Sequence, residues 1–231
     1  MPSLTVVFPM RNEEAYVRRA VAAAREVLEA DLADWEIVIV DDASTDATGA
    51  IADELAGRDP RVRVVHNAAH LRLGGALRAG YAAARKDLVF YTDADLPIDL
   101  REVPRAVRLL EYQEADVVAG YRFDRTSEGF LRALYTFCYN HLLRTLFGLR
   151  VRDVNFAFKL FRRSTLERFT LTSQGSFIDA EFLLRARKAG CAIIQIGLDY
   201  FPRTRGTSTL ATLPVIVDIL GEMATRWWEL R

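Results

Sequence analysis

Apolar residues arrive along this chain in two rhythms. Short unbroken runs such as Leu88-Val89-Phe90-Tyr91 read as strands buried on both faces, and between them lie longer alanine-rich stretches with helical spacing. This pattern predicts strands over residues 4–8, 35–40, 62–65, 88–92 and 116–120. Helices are predicted over residues 13–29, from a Ser44 or Thr45 cap to 56, over 74–85, and over 100–111. Pro9 is expected to halt the first strand. Strands alternating with helices of this length mean repeated βαβ units and a mainly parallel sheet. After Gly120 the pattern changes. A long helix dense in aromatics and leucine is predicted over 130–147 and a strand over 156–161. A helix over 179–189 ends at Gly190, and a strand starts at Ala192. A loop over 202–210 then leads to a terminal helix over 214–231.

These elements predict one α/β domain with a central sheet flanked by helices, plus a C-terminal helical extension. At 231 residues there is ample chain for a substantial core. Lys+Arg and Asp+Glu balance at 31 each, so no global cationic field favours nucleic acid. Charge is uneven locally: carboxylates collect at the ends of early strands, whereas residues 122–163 are rich in arginine. Cys138 and Cys191 lack metal-ligand spacing and read as reduced core thiols of a cytoplasmic protein. The amino terminus enters a strand almost at once, which argues against a signal peptide. No uncharged apolar run approaches the roughly 18 residues that would span a bilayer.

In a parallel sheet, ligands bind beyond the carboxyl ends of the strands. Here those ends carry Pro9 to Glu14, Asp41-Asp42, and Asp93-Ala94-Asp95. If the chain stays extended past Tyr91, Asp93 and Asp95 point the same way. Two such carboxylates repel unless a cation sits between them or one takes up a proton. An all-oxygen pair suits Mg2+ or Mn2+ with positions left open for phosphates. An Asp-rich turn that caps a helix is the competing reading of this stretch.

Other nucleotide-site signatures do not fit. The chain has no G-x-x-x-x-G-K-[ST]. The glycine-rich stretch from Leu73 to Gly80 follows the third predicted strand and is not G-x-G-x-x-G. His66, His70 and His141 show no ligand spacing, and Ser44 and Ser208 lack the elbow of a hydrolase nucleophile. In the predicted long helix, Arg132, Thr136, Asn140 and Arg144 recur every fourth residue as a polar stripe, which could equally be a solvated face.

Four segments, taken in order, strongly resemble the nucleotide-sugar domain of family 2 glycosyltransferases. They are Val7-Phe8-Pro9-Met10-Arg11-Asn12-Glu13-Glu14, Val40-Asp41-Asp42-Ala43-Ser44-Thr45-Asp46, Leu73-Gly74-Gly75-Ala76 and Asp93-Ala94-Asp95. Later segments look like the dolichyl- or polyprenyl-phosphate mannose and glucose synthase group. These are Gly120-Tyr121-Arg122, Arg132 with Thr136 and Asn140, the run from Val151 to Arg163, and Arg203-Thr204-Arg205-Gly206-Thr207-Ser208.

The resemblance implies a GT-A-like domain over residues 1–210, with a donor half (1–120) and an acceptor half (121–210). It implies inverting transfer of a hexose from a GDP- or UDP-sugar to a polyprenyl phosphate. Pro9, Asn12, Glu13, Asp41, Asp42, Gly74 and Ala94 would line the donor, while Asp93 and Asp95 would hold Mg2+ or Mn2+ at its diphosphate. Arg122, Arg132, Thr136, Asn140 and Arg203 would gather round the acceptor phosphate. Asp93, Asp95, Arg122 and Arg203 would form the reacting centre. A phosphomonoester has a second pKa near 6, so such an acceptor is already a nucleophile near neutrality and needs no general base.

Three positions depart from the group: Pro97 replaces a glutamine, Thr209 replaces a lysine, and Asn155-Phe156-Ala157-Phe158 replaces Thr-Ser-Gly-Phe. A hydroxyl acceptor is the alternative, with Asp179 or Glu181 as base. A donor-binding protein without turnover is the other. The last helix carries Ile216, Ile219, Leu220, Met223, Trp227 and Trp228 near Arg226 and Arg231. That mixture suits peripheral contact with the cytoplasmic membrane face over residues 211–231, and packing on its own domain would use the same residues.

Overall fold

The structure, a computed structural model, describes residues 2–123, 130–201 and 213–230; side chains of 130–133, 213, 214 and 216 are also outside the description. The elements in order are β1 (Leu4–Met10), α1 (Val17–Asp31), β2 (Trp35–Asp41), α2 (Thr48–Arg58), β3 (Val62–His66), α3 (Arg72–Ala83), β4 (Leu88–Tyr91) and α4 (Glu102–Tyr112). They continue with β5 (Val117–Arg122), α5 (Phe130–Phe147), β6 (Lys159–Arg162), a 3-10 helix (Arg163–Arg168), α6 (Ile178–Lys188), β7 (Ile193–Leu198), α7 (Leu213–Thr225) and α8 (Trp227–Leu230).

The seven strands form one sheet in the order β3-β2-β1-β4-β6-β5-β7. Among the described residues, only the pairings of β6 with β4 and β5 are antiparallel. Alternation along the strands divides the core between two faces. On one, Leu4, Val6, Phe8 and Met10 of β1 pack with Val17, Val21 and Leu28 of α1 and with Val103, Val107 and Leu110 of α4. On the other, Val7, Val38 and Val40 pack with Leu77 and Tyr81 of α3 and Phe182 of α6. Each large apolar side chain buried this way contributes about 1.5–3 kcal/mol.

The order of the strands creates the place for a site. From β1 the chain builds outward through β2 to β3, and α3 then carries it back to β4 on the other side of β1. The segments leaving β1 and β4 therefore diverge, which makes their carboxyl ends a topological switch point where ligands bind in such sheets.

Several expectations need correction. Pro9 does not halt β1, which runs to Met10. The amide of Thr92 donates to Val7 and that of Asp42 to Met10, so Pro9, two residues after Val7 and one before Met10, faces the β4 side after β4 pairing has ended. Its missing N–H costs no hydrogen bond there. Neither Ser44 nor Thr45 caps α2; Asp46 Oδ1 accepts from the Thr48 amide at 2.9 Å. The strand expected over 156–161 is only Lys159–Arg162. Cys138 is exposed and only Cys191 is buried, and neither is in a disulfide. The terminal helix breaks at Arg226 into α7 and α8.

Candidate functional site

The segments after β1 and β2 are tied into one wall. Asn12 sits in the left-handed region (φ 54), and its Oδ1 accepts from the Thr45 amide at 2.8 Å. In return, Ser44 Oγ accepts from the Asn12 amide at 3.0 Å, and Thr48 Oγ1 from the Glu13 amide at 2.8 Å. Asparagine tolerates this backbone region better than most residues because its side chain bonds locally. Pro9, Asn12 and Glu13 are thus placed together at the switch point.

Asp41 and Asp42, expected to contact the nucleotide, are engaged by the chain itself. Asp41 Oδ1 accepts from the Ser44 amide at 3.1 Å, and its Oδ2 lies 3.0 Å from His66 Nδ1. Burial raises the Asp41 carboxyl, but the bonds from Ser44 and His66 outweigh it and hold the group below the ordinary range. Asp42 is buried; Oδ1 accepts from Asn67 Nδ2 and the Leu71 amide, both at 2.8 Å, and Oδ2 lies 2.6 Å from His70 Nδ1. It fastens the segment between β3 and α3.

Gly74 is also packed against protein. A Cβ at this position would lie 2.3 Å from the Ser173 carbonyl oxygen, and its amide donates to the Gln174 carbonyl at 2.9 Å. Only glycine lets α3 approach the segment before α6 so closely.

Asp93 and Asp95 stand beyond β4 at the centre of the sheet, but not on an extended chain. β4 ends at Tyr91, and a turn closes from the Leu96 amide to the Asp93 carbonyl at 3.2 Å. Ala94 is buried in the core while both aspartates are half-buried, so an inward alanine anchors the turn that presents them. Tyr91 Oη donates to Asp93 Oδ1 at 3.4 Å. Burial, then the charges of Asp93 and Asp179, push the Tyr91 phenol well above its ordinary value, so it keeps its proton. Pro97 accepts from the Phe201 amide at 2.9 Å, which joins the Asp93–Asp95 turn to the chain just before Arg203.

Among the described residues no group of three His, Cys, Asp or Glu side chains could hold a metal ion. Two hard oxygen ligands from Asp93 and Asp95 at the switch point still match the way Mg2+ and Mn2+ are held in phosphate sites. The donor set fits.

Arg122 ends β5. Its Nε lies 3.2 Å from Asp153 Oδ2, with both side chains buried, and its guanidinium lies 5.0 Å from the Phe156 ring centre and 4.9 Å from that of Tyr200. Asn140 does not project toward a ligand: Nδ2 donates to the Arg152 carbonyl at 2.9 Å, and Oδ1 accepts from the Val154 amide at 3.2 Å. It braces the loop that presents Asp153. Thr136 is half-buried on α5, and Arg144 is exposed near the other end of that helix. Arg203 and the Arg132 side chain lie outside the described residues.

The two candidate bases differ sharply. Glu181 is fully buried and accepts from the Thr172 amide and hydroxyl, the Ser173 amide at 2.7 Å and Arg185 Nε at 2.8 Å. Burial raises its carboxyl, yet these bonds win and hold it below the ordinary range. Asp179 is buried 3.4 Å from Lys159 Nζ. Burial lifts its carboxyl, Lys159 opposes the rise, and Asp153 adds to it.

His66 and His70 were set aside for lack of ligand spacing, and Tyr91 and Lys159 were not singled out from the sequence. The signal for His66 was available in the register, since β3 pairs it directly with Asp41. Lys159 carried no such signal, because a lysine in an apolar run looks like an outward-facing strand residue.

The α/β domain thus carries two aspartates past β4 at a parallel-sheet switch point and a buried arginine at the end of β5. Residues 5–170 match the family described as Glycosyl transferase family 2, and the chain belongs to that family. It is 32% identical over 234 residues to Glycosyltransferase AglD of Haloferax volcanii, covering 98% of this chain and 37% of that protein. It is 30% identical over 225 residues to Dodecaprenyl-phosphate galacturonate synthase of Rhizobium johnstonii, covering 95% of this chain and 66% of that one. The chain thus spans only part of each. The fold is GT-A-like. It matches glucosyl-3-phosphoglycerate synthase of Mycobacterium tuberculosis, solved with Mn2+, uridine diphosphate and glucosyl-3-phosphoglycerate, at TM-score 0.73 and 25% identity over 96% of this chain and 80% of that one.

Proposed function

We propose that the protein transfers a hexose, with inversion, from a GDP- or UDP-sugar to a polyprenyl phosphate, and that it requires Mg2+ or Mn2+. The observation that carries this reading is the Asp93–Asp95 turn at the switch point between β1 and β4, with Arg122 at the end of β5 beyond the intervening β6. Relatives named for dodecaprenyl-phosphate and undecaprenyl-phosphate transfer support the acceptor class, and the Mn2+- and UDP-bound neighbour supports the donor class.

In this mechanism Pro9, Asn12 and Glu13 form the donor wall. Asp93 and Asp95 hold the cation, which when bound acts as a Lewis acid for the charge gathering on the leaving diphosphate. Tyr91, protonated throughout, orients Asp93. Asp153 fixes Arg122 so that its guanidinium faces the acceptor phosphate without first having to find its orientation. The acceptor dianion attacks the anomeric carbon while the diphosphate departs from the opposite face. No proton has to be removed from it. The occupation of Glu181 by four donor groups and the burial of Asp179 beside Lys159 favour this acceptor over a hydroxyl, which would need a base.

Residues 211–231 are proposed to contact the cytoplasmic membrane face peripherally. Val217, Leu220 and Trp228 are exposed, whereas Ile219 and Met223 are buried and Trp227 packs on Phe147 at 4.9 Å. Arg226 is turned inward to Thr172 and Glu222. Among the described residues no helix is long and apolar enough to cross a membrane.

The test is a transfer assay with radiolabelled UDP- and GDP-hexoses, polyprenyl phosphate, and Mg2+, Mn2+ or EDTA. Acid-labile, lipid-extractable label that requires the cation is expected. Label passing only to soluble hydroxyl acceptors would replace the reading with its alternative.

A further inference from the structure

A second cationic feature lies away from the strand ends. At the edge of the sheet, β7 and the end of α5 enclose an open groove of about 620 Å³, lined by Arg144, Arg150 and Arg187 together with Gly148, Cys191 and Gln195. Cys191 precedes β7, and Gln195 lies three residues before its end at Leu198. The groove therefore opens toward the start of that strand, whereas Asp93 and Asp95 lie past the end of β4.

Its lining is built by specific contacts. Gln195 Oε1 accepts from the Arg152 amide at 2.8 Å, and Gln195 Nε2 donates to the Arg150 carbonyl at 3.1 Å, which pins the Arg150 segment to β7. Gly148 takes a left-handed φ of 69°, and a Cβ there would meet Arg187 Nη1 at 3.2 Å. Arg187 is held in place by donating to the Phe147 carbonyl at 2.5 Å. Among the described residues, Arg144 and Arg150 have no carboxylate partner. The nearby carboxylate Asp116 is taken by Arg168 at 3.2 Å and by the Ala192 amide at 2.8 Å.

Three guanidinium groups around a concave surface, with no balancing carboxylate among the described residues, form a receptor for a multiply charged oxyanion. We propose that this groove binds a phosphate group, as a site separate from the one that handles donor and acceptor. The same chemistry is offered by free phosphate or diphosphate and by the headgroup of an anionic phospholipid. The loop forming the groove runs directly into Asp153, the partner of Arg122, so an occupied groove would restrain the acceptor side.

The experiment uses the whole chain with EDTA present, so that no cation draws pyrophosphate to Asp93 and Asp95. One arm titrates inorganic pyrophosphate and follows the amide resonances of Gly148, Leu149 and Val151. The other floats the protein with phosphatidylglycerol or phosphatidylcholine vesicles. The variant is Arg144→Glu/Arg150→Glu, and its control, Arg19→Glu/Arg108→Glu, alters net charge equally at exposed sites elsewhere. The milder Arg150→Gln serves if the double variant melts early.

The expected result is saturable binding in at least one arm. It should be weakened roughly tenfold or more by the groove variant and left unchanged by the control. Shifts with pyrophosphate identify a soluble ligand, and selective flotation with phosphatidylglycerol alone identifies a lipid headgroup. Binding in neither arm, or equal loss in variant and control, overturns the proposal. A Trp228→Ala variant separates this site from the C-terminal helices, because flotation lost only there would assign the membrane contact to them and remove the lipid arm.

Discussion

The Nε of Arg122 lies 3.2 Å from Asp153 Oδ2, both side chains are buried, and the guanidinium lies 5.0 Å from the Phe156 ring centre and 4.9 Å from that of Tyr200. Removing one partner of a buried ion pair leaves the other charge uncompensated and costs about 3–5 kcal/mol. Asp153→Ala is therefore expected to unfold at distinctly lower denaturant concentration than the parent chain. In the protein that remains folded, donor affinity should persist and the KM for the lipid phosphate should rise, because Arg122 loses its fixed orientation. Urea melts read the first effect, and steady-state kinetics with each substrate varied read the second.

Asp95 is half-buried on a turn whose anchor is the neighbouring buried Ala94, so the turn should survive exchange of the Asp95 side chain. Asp95→Ala is expected to lose cation-dependent donor binding in calorimetry. Turnover should fall roughly 100-fold or more, the scale on which one preorganised electrostatic partner contributes to a transition state. An unchanged melting temperature without ligand would locate the loss in the site rather than the fold.

How far the sequence could be read follows from which contacts are local. Strand runs of apolar residues and the order of their polar ends are local facts, and they led correctly to the mainly parallel sheet, whereas Asp93 and Asp95, expected on an extended segment, stand on a turn. What escaped depends on partners distant in sequence. The antiparallel insertion of β6 between β4 and β5 is set by pairings across about 70 and 40 positions, such as Leu88 with Arg162 and Val117 with Phe161. Asn140 looked like a ligand-facing residue on a stripe, but it is bonded to a loop 12–14 residues on. Gly74 was expected to line the donor, and its smallness is required by a backbone about 100 residues away. Helical spacing gives the face of a helix, not what that face meets.

Asp179 and Glu181 give a direct discrimination between acceptor classes. Glu181→Gln removes the charge that receives Arg185 and the Thr172 and Ser173 amides, and each buried donor left unsatisfied costs about 1–3 kcal/mol. Its expected effect is lost stability with little change in kcat for surviving molecules. Asp179→Asn removes the partner of Lys159 and should also destabilise. With a phosphate acceptor, neither variant should abolish the base-limb pH dependence of kcat. With a hydroxyl acceptor, Asp179→Asn should flatten it. A pH–rate profile for each variant decides between them.

His66 links the end of β3 to two carboxylates, with Nδ1 3.0 Å from Asp41 and Nε2 2.9 Å from Asp53. Hydrogen bonds to Asp53 and then Asp41 raise the imidazole above its ordinary value against the opposing effect of burial. A raised histidine stabilises the fold fully below its unfolded pKa of about 6.5, and that contribution fades as pH rises through the folded value. The depressed carboxyl of Asp41 has the opposite sign: its contribution is present above about 3.9 and is lost as pH falls through the lower folded value. The two overlap in a window from about pH 4 to 6.5, where the ion pair is complete. His66→Gln is therefore expected to lower the melting temperature most in that window, and the gap to the parent chain should narrow toward pH 8. The side chain is partly exposed, so the difference should shrink further in high salt. Melting curves of both proteins from pH 4 to 8 at two salt concentrations measure this directly, and a gap that widened with rising pH would contradict a protonated His66.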